Sequence, residues 1–175
     1  MIHIFTVVTG NTLNSHKTFL EHLAAKTQLT EVKGVEECDV IVAFCPISSR
    51  PGTDIEAALL QIPDDKPSVL VVLHHTCDPN HILTESSRYV SRSDVLTVDC
   101  LFHDTEGLLK CQINEEAMGN TLRCISQHSK VLYPHWQSQE PPNFQEFPEQ
   151  GSSKVIPEDT SSNSRQSTRR HCILL

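Results

Sequence analysis

Long apolar runs are missing from this sequence of 175 residues. The longest are about as long as a β-strand, far short of the roughly 20 residues that a membrane-spanning helix needs. The first residues show no signal-peptide pattern. Lysine and arginine do not cluster before the last residues and the net charge is −8, which excludes the basic surface typical of nucleic-acid-binding proteins. We expect a cytoplasmic protein with no nucleic-acid partner.

Close pairs of cysteine are also missing. The seven cysteines form no C-x-x-C pair and no paired cysteine–histidine pattern of the zinc-finger kind, so neither a disulfide framework nor a metal site is expected from them. Several adjoin apolar runs, as in DVIVAFC and VLTVDC, where a free thiol behaves as a small hydrophobic side chain. This usage indicates a reducing compartment.

Short apolar runs alternate with amphipathic patterns over residues 1–130. Runs that are apolar almost throughout predict strands buried on both faces, as in a parallel sheet covered by helices. They lie at 2–8, 39–45, 68–74 and 94–100, with a weaker run at 28–33, and helical patterns lie at 15–26, 53–62 and 114–128. This alternation predicts an α/β domain with a doubly wound, five-stranded parallel sheet in the flavodoxin-like order 2-1-3-4-5.

Polar residues mark the predicted start of each helix. Ser15 and Asn114 are of the types that cap helix N-termini, and Thr53 with Glu56 three residues later matches a capping box. We therefore expect the three helices to begin after these residues.

The composition changes after about residue 130. Residues 131–171 are rich in Pro, Ser, Gln and Glu and have no apolar period, so we expect a disordered tether that is free to contact other proteins. Residues 172–175 read CILL, the C-a-a-X pattern that prenyltransferases read, and a terminal Leu favours geranylgeranylation of Cys172. The alternative is a short apolar end without a lipid. A prenyl group would hold a fraction of the protein molecules at the cytosolic face of a membrane.

Hydroxyl-bearing loops follow the first and third predicted strands. Thr9, Gly10, Asn11 and Thr12 form a TGNT loop between a strand and a helix, where backbone N–H groups can hold phosphate. The loop resembles the phosphate loop of flavodoxins, and CPISSRPG at 45–52 is similar to a second flavodoxin loop. The resemblance implies FMN as a cofactor, held by these residues and by Ser48 and Ser49. No Trp, Tyr or Phe that could stack on a flavin lies between Pro46 and Thr53 or between His74 and His81, so we expect no cofactor, with FMN as the alternative.

A second motif, GTDIE at 52–56, opens the predicted second helix. It resembles the GTxxE motif of nucleoside 2-deoxyribosyltransferases. The resemblance implies that Glu56 is the nucleophile at a sugar carbon, with Thr53 beside the substrate. The alternative is that Glu56 only completes the capping box with Thr53.

Histidines and acids follow the fourth strand in LHHTCDPNH, and DCLFHDTEG adds further acids and a histidine at the same edge. His75 and Asp78 are ligand-binding candidates there. Neighbouring strand residues point to opposite faces, so His74 and His75 are expected at different sites. We favour a polar loop without a metal ion, with proton transfer by one histidine as the alternative.

These features favour a prenylated, membrane-tethered binding or signalling module that is not an enzyme. The alternative is a small-molecule enzyme that binds FMN or a nucleoside at the edge formed by the carboxyl ends of the strands, with N-glycosyl transfer by Glu56. A fold by itself does not decide between these two functions.

Overall fold

The computed structural model of the chain describes residues 1–129. Its strands are β1 Ile2–Val8, β2 Leu29–Glu31, β3 Val40–Pro46, β4 Ser68–His75, β5 Val95–His103 and β6 Gly107–Leu108. Its helices are α1 Ser15–Ala24, α2 Pro51–Leu59 and α3 Gln112–His128, with short 3-10 helices at Val35–Glu37 and Ser86–Tyr89. The predicted tether and the CILL box lie outside the described residues. In residues 1–129, no helix has both the length and the apolarity needed to cross a bilayer.

The strands form one mostly parallel sheet in the order β2-β1-β3-β4-β5-β6. The five parallel strands therefore lie in the predicted order. The predicted number of strands is wrong, because β6 adds a sixth that runs antiparallel to β5. The chain turns back from β5 to β6, and Gly107 has a left-handed conformation there with φ of 70°. The sequence did not predict β6, because a strand of two residues is too short to produce a hydrophobic period.

Helices cover both faces of the sheet. α1 and α3 contribute Phe19, Leu23 and Ile125 to the apolar core on one face. α2 contributes Ile55 and Ala58 to the core on the other face. All residues of β3 are buried, as the continuous apolar pattern predicts for a central parallel strand. This arrangement is compatible with a flavodoxin-like or Rossmann-like fold.

The predicted caps of the first two helices are wrong. Asn14 precedes α1 in a left-handed conformation with φ of 66°, and Ser15 is buried as the first helical residue. Asparagine tolerates that conformation better than most residues. α2 begins at Pro51, whose fixed φ suits a first helical position. Thr53 is therefore inside the first turn, and it forms no capping box with Glu56.

The predicted cap of α3 is wrong for a different reason. The helix begins at Gln112, and Asn114 lies within its first turn. The Asn114 side chain instead binds the backbone of Leu101 on β5 and of Leu109 just after β6. Asn114 therefore fastens α3 to the sheet rather than starting the helix.

Candidate functional site

The loops after β1 and β3 meet at the carboxyl ends of the strands. A methyl group added at Gly10 would lie 2.9 Å from Cγ of Pro46, so glycine is needed where the two loops touch. Thr9 bonds to the Phe44 carbonyl with both its N–H and its hydroxyl, each at 3.0 Å. The structure thus brings together the two loops that the sequence predicted to share a site.

The side chains of Asn11 and Thr12 are bonded within the TGNT loop and α1. The Asn11 side-chain oxygen accepts the N–H of Leu13 at 3.1 Å. The buried Thr12 hydroxyl bonds to Nδ1 of His16. Burial lowers the pKa of His16, and Lys17 adds to that effect, although Glu31 opposes it. A neutral His16 is therefore favoured beside the loop.

Asp54 closes the loop between β3 and α2. One carboxylate oxygen accepts the N–H groups of Ser48 and Ser49, each at 2.8 Å, and the other accepts the Ser49 hydroxyl at 2.7 Å. Burial opposes ionisation of Asp54, but these three hydrogen bonds outweigh it and lower the pKa of the carboxyl. The Asp54 carboxylate thus accepts the hydrogen bonds that the N–H and O–H groups of this loop would otherwise donate to an anionic ligand. Sequence reasoning missed this residue.

Glu56 lies away from these loops. It is exposed on α2 and lines a cavity of about 460 Å³ with Arg92 and residues 59–64. These neighbours precede β4 and β5, so the cavity lies at the amino ends of those strands. Thr53, the other predicted member of the motif, is exposed on the first turn of α2. The structure does not bring Glu56 together with Thr9–Thr12.

Three polar side chains meet between β4 and β5. Nε2 of His74 lies 2.8 Å from Oδ1 of Asp99 and 3.3 Å from the hydroxyl of Ser86, and the Ser86 N–H donates to Oδ2 of Asp99 at 3.1 Å. Burial opposes ionisation of Asp99, but hydrogen bonds from His74 and Ser86 outweigh it and lower the pKa of the carboxyl. This group was missed because only the sheet register brings His74 and Asp99 together.

The group of His74, Asp99 and Ser86 lacks the geometry of a nucleophile relay. In such a relay the acid and the hydroxyl contact different nitrogens of the imidazole ring. Here both contact Nε2 of His74. The Ser86 side chain is also buried. The group therefore holds the 3-10 helix Ser86–Tyr89 against β5.

His75 belongs to a second group at the end of the same strand. Its ring stacks on the ring of His103, with centroids 5.1 Å apart, and its Nε2 lies 3.8 Å from Oδ1 of Asp104. Nδ1 of His103 lies 2.9 Å from the same oxygen. His74 and His75 thus enter different groups, as strand alternation requires.

Asp78 does not join His75. Its carboxylate accepts the N–H of Asn80 at 2.9 Å, and its carbonyl accepts the N–H of His81 at 3.2 Å. These bonds make a local turn, a common role of aspartate in loops. The two predicted ligand-binding residues after β4 are therefore engaged separately.

Two buried cysteines near this edge, Cys45 and Cys100, are not set up as nucleophiles. Burial raises the pKa of Cys45 to about 11, and a hydrogen bond with the Thr9 side chain only partly offsets it. Burial also raises the pKa of Cys100 well above its usual value, with a further contribution from Asp99. Both thiols stay protonated at neutral pH, and a protonated thiol is a weak nucleophile.

A second cavity, of about 420 Å³, lies between β5, α3 and the loop at 81–87. Thr97 and Asp99 line it from the sheet, and Ile113 and Ala117 line it from α3. The Thr97 hydroxyl has no hydrogen-bond partner among residues 1–129.

In the comparisons with known proteins, no family model, no curated protein and no solved structure matches this chain.

Proposed function

We propose that this chain is a non-catalytic binding module with a flavodoxin-like fold, held at a membrane by a prenyl group on Cys172. The observation that carries the non-catalytic part is Asp54, whose carboxylate binds Ser48 and Ser49 at the edge where related folds bind phosphate. These donors are occupied, and the negative charge of Asp54 disfavours a second anion beside it.

The reactive side chains at this edge support the same proposal. The Ser86 hydroxyl and the Asp99 carboxylate both contact Nε2 of His74. The imidazole therefore does not link the acid to the hydroxyl through its two nitrogens. Cys45 and Cys100 are buried thiols with raised pKa values. Within residues 1–129, Ser86, Cys45 and Cys100 thus supply neither an activated hydroxyl nor a thiolate. The polar groups at the edge remain suited to binding.

The membrane part of the proposal rests on the sequence. Cys172 is followed by two aliphatic residues and Leu175, and Arg165, Arg169 and Arg170 precede it. One prenyl chain gives reversible membrane binding. Each arginine near an anionic leaflet adds about 1 kcal/mol. We therefore expect partial residence at the membrane, with the rest of the protein in the cytoplasm.

The test of the anchor compares the full chain with Cys172→Ser in cells. The parent should divide between membrane and cytosolic fractions, and Cys172→Ser should move to the cytosol. Mass spectrometry of the carboxyl-terminal peptide of the parent should show a geranylgeranyl group and the loss of residues 173–175. Cys77→Ser, which removes an exposed thiol of the folded domain, is the control and should fractionate as the parent does. Equal distribution of parent and Cys172→Ser, or a peptide without the lipid, would overturn the anchor.

The test of the non-catalytic part uses FMN as the probe. Flavin fluorescence should be unchanged when the purified chain is added, because Asp54 occupies the donors of the loop. Asp54→Asn keeps the shape of the side chain and removes its charge, so this variant tests whether the charge of Asp54 is what disfavours the FMN phosphate. Tight FMN binding by the parent protein would contradict this part of the proposal, and would leave the result on the anchor unaffected.

A further inference from the structure

We propose that His75, His103 and Asp104 bind a divalent transition-metal ion at the carboxyl ends of β4 and β5. Their ligand atoms all lie within 4.8 Å of one another. This proposal goes beyond the membrane-tethered module and does not depend on the lipid. It also replaces the expectation from the sequence that the histidines after β4 form a polar loop without a metal ion.

The adjacent carboxyl ends of β4 and β5 bring the three residues together. His75 and His103 are the last residues of two neighbouring parallel strands. His75 is paired with Phe102, which places His103 one residue farther along β5. Asp104 follows His103 directly in the turn to β6. Two of the ligands therefore lie on rigid strands, which favours a defined geometry over that of a mobile loop.

The distances from Asp104 to the two histidines are near those of a tetrahedral site. Oδ1 of Asp104 lies 2.9 Å from Nδ1 of His103 and 3.8 Å from Nε2 of His75. Metal–ligand bonds of about 2.0–2.1 Å around zinc place neighbouring ligand atoms roughly 3.3 Å apart. The two distances from Asp104 lie on either side of this value, and the two histidine ligand atoms lie within 4.8 Å of each other, so the nitrogens move closer together when a metal binds.

The two histidine rings already contact each other, and His75 also contacts the core. His75 stacks on His103 with an angle of 25° between the ring planes, and it meets Phe102 edge-on with centroids 5.4 Å apart. Phe102 is buried in the core. The Thr105 hydroxyl lies 2.9 Å from Nδ1 of His103, and it releases that nitrogen when the metal binds. Metal binding thus orders side chains that are already in contact.

The kind of ligand atoms sets the class of metal. Two imidazole nitrogens and one carboxylate oxygen suit zinc, cobalt, nickel, copper or iron better than magnesium or calcium, which prefer oxygen ligands. The side chains of His75 and Asp104 are 49% and 56% exposed. Water or a carboxylate of a ligand can therefore reach the remaining coordination positions, as in zinc sites that stay open.

The experiment titrates Zn²⁺ and Co²⁺ into the full chain carrying Cys77→Ser, which removes an exposed thiol that would compete for metal. We expect one Zn²⁺ per chain by calorimetry, and a visible Co²⁺ absorption band typical of four-coordinate geometry. His75→Gln, His103→Gln and Asp104→Asn should each weaken Zn²⁺ binding about tenfold or more, by analogy with changes around other metal sites. Mg²⁺ should not compete.

Matched controls come from the neighbouring turn. His81→Gln and Asp78→Asn change exposed residues of the same types that lie outside the group, and both should keep the parent affinity. NMR should show Zn²⁺ shifting the ring signals of His75 and His103 but not those of His81, which tests the site without any substitution. No Zn²⁺ uptake, an unchanged affinity in the ligand variants or unshifted His75 and His103 signals would each overturn the proposal.

Discussion

The side-chain amide of Asn114, on α3, binds both backbone groups of Leu101 on β5. Its oxygen accepts the Leu101 N–H at 2.7 Å, and its nitrogen donates to the Leu101 carbonyl at 2.8 Å and to the Leu109 carbonyl at 2.7 Å. β6 pairs only with Phe102 and His103. The Leu109 N–H also donates to the Leu101 carbonyl at 3.0 Å, so Asn114 adds to the backbone pairing just beyond β6 and supplies the acceptor for the Leu101 N–H.

Removing this amide should destabilise the domain. Asn114→Ala deletes three hydrogen bonds, each worth about 1 kcal/mol, so the free energy of unfolding should fall by roughly 2–3 kcal/mol. Urea denaturation followed by circular dichroism measures the change. Asn120→Ala removes an exposed amide from the same helix and should change the stability by less than about 0.5 kcal/mol. Equal effects of both substitutions would refute this role of Asn114.

Two glycines should respond in opposite ways to the same substitution. Gly10→Ala places a methyl group 2.9 Å from Pro46, and such overpacking should cost about 1–3 kcal/mol of folding stability. Gly119 lies inside α3, and a methyl group there would have no neighbour within 4 Å. Gly119→Ala should therefore stabilise the domain by about 0.5–1 kcal/mol, since alanine favours the helix. Thermal denaturation of both variants tests the pair.

Arg92 holds the end of α2, and lysine should not replace it. Its guanidinium donates to the carbonyls of Ile62 at 2.8 Å and of Pro63 at 2.9 Å, and it also pairs with Asp94. A lysine ammonium is a compact charge without this planar set of donors. Arg92→Lys should lower the free energy of unfolding by about 1–2 kcal/mol.

A surface arginine is the control for Arg92. Arg88 is exposed and lies over the ring of Tyr89, 5.6 Å from its centroid. Arg88→Lys should leave the unfolding free energy nearly unchanged, because exposed charges contribute little to stability. Comparable losses in the two lysine variants would show that the carbonyl contacts of Arg92 do not stabilise the fold.

Asp99 should make the domain sensitive to acid. Burial opposes its ionisation, but hydrogen bonds from His74 and Ser86 lower the pKa of the folded carboxyl below its usual value. The resulting stability is fully present above the ordinary pKa of about 3.9. It is lost as the pH falls from there through the lower folded value. Urea midpoints measured below pH 5 should therefore fall less steeply in Asp99→Asn than in the parent.

A second aspartate variant separates this effect from general loss of charge. Asp65 is exposed in the segment between α2 and β4. Asp65→Asn should retain the acid dependence of the parent protein. If Asp99→Asn and Asp65→Asn have the same slope of stability against pH, Asp99 is not the group responsible.

The main layers of this domain follow from local patterns of residues. β3 and β4 are apolar almost throughout, and they lie in the centre of the sheet with helices on both faces. Burial on both faces requires continuous hydrophobicity, and strands joined by helices must run parallel. The order of the five parallel strands was therefore predictable, and so was the edge to which Thr9–Thr12 and Ser48 belong.

Tertiary structure alone decided the details of that edge. β6 is too short to have a period, and the start of α2 was set by Pro51 rather than by Thr53. His75 and His103 are separated by 28 positions of chain, so their contact depends on how β4 and β5 align. Hydrogen bonds and metal ligands require positions defined within about an ångström, and such positions follow from strand register and packing rather than from local patterns of residues.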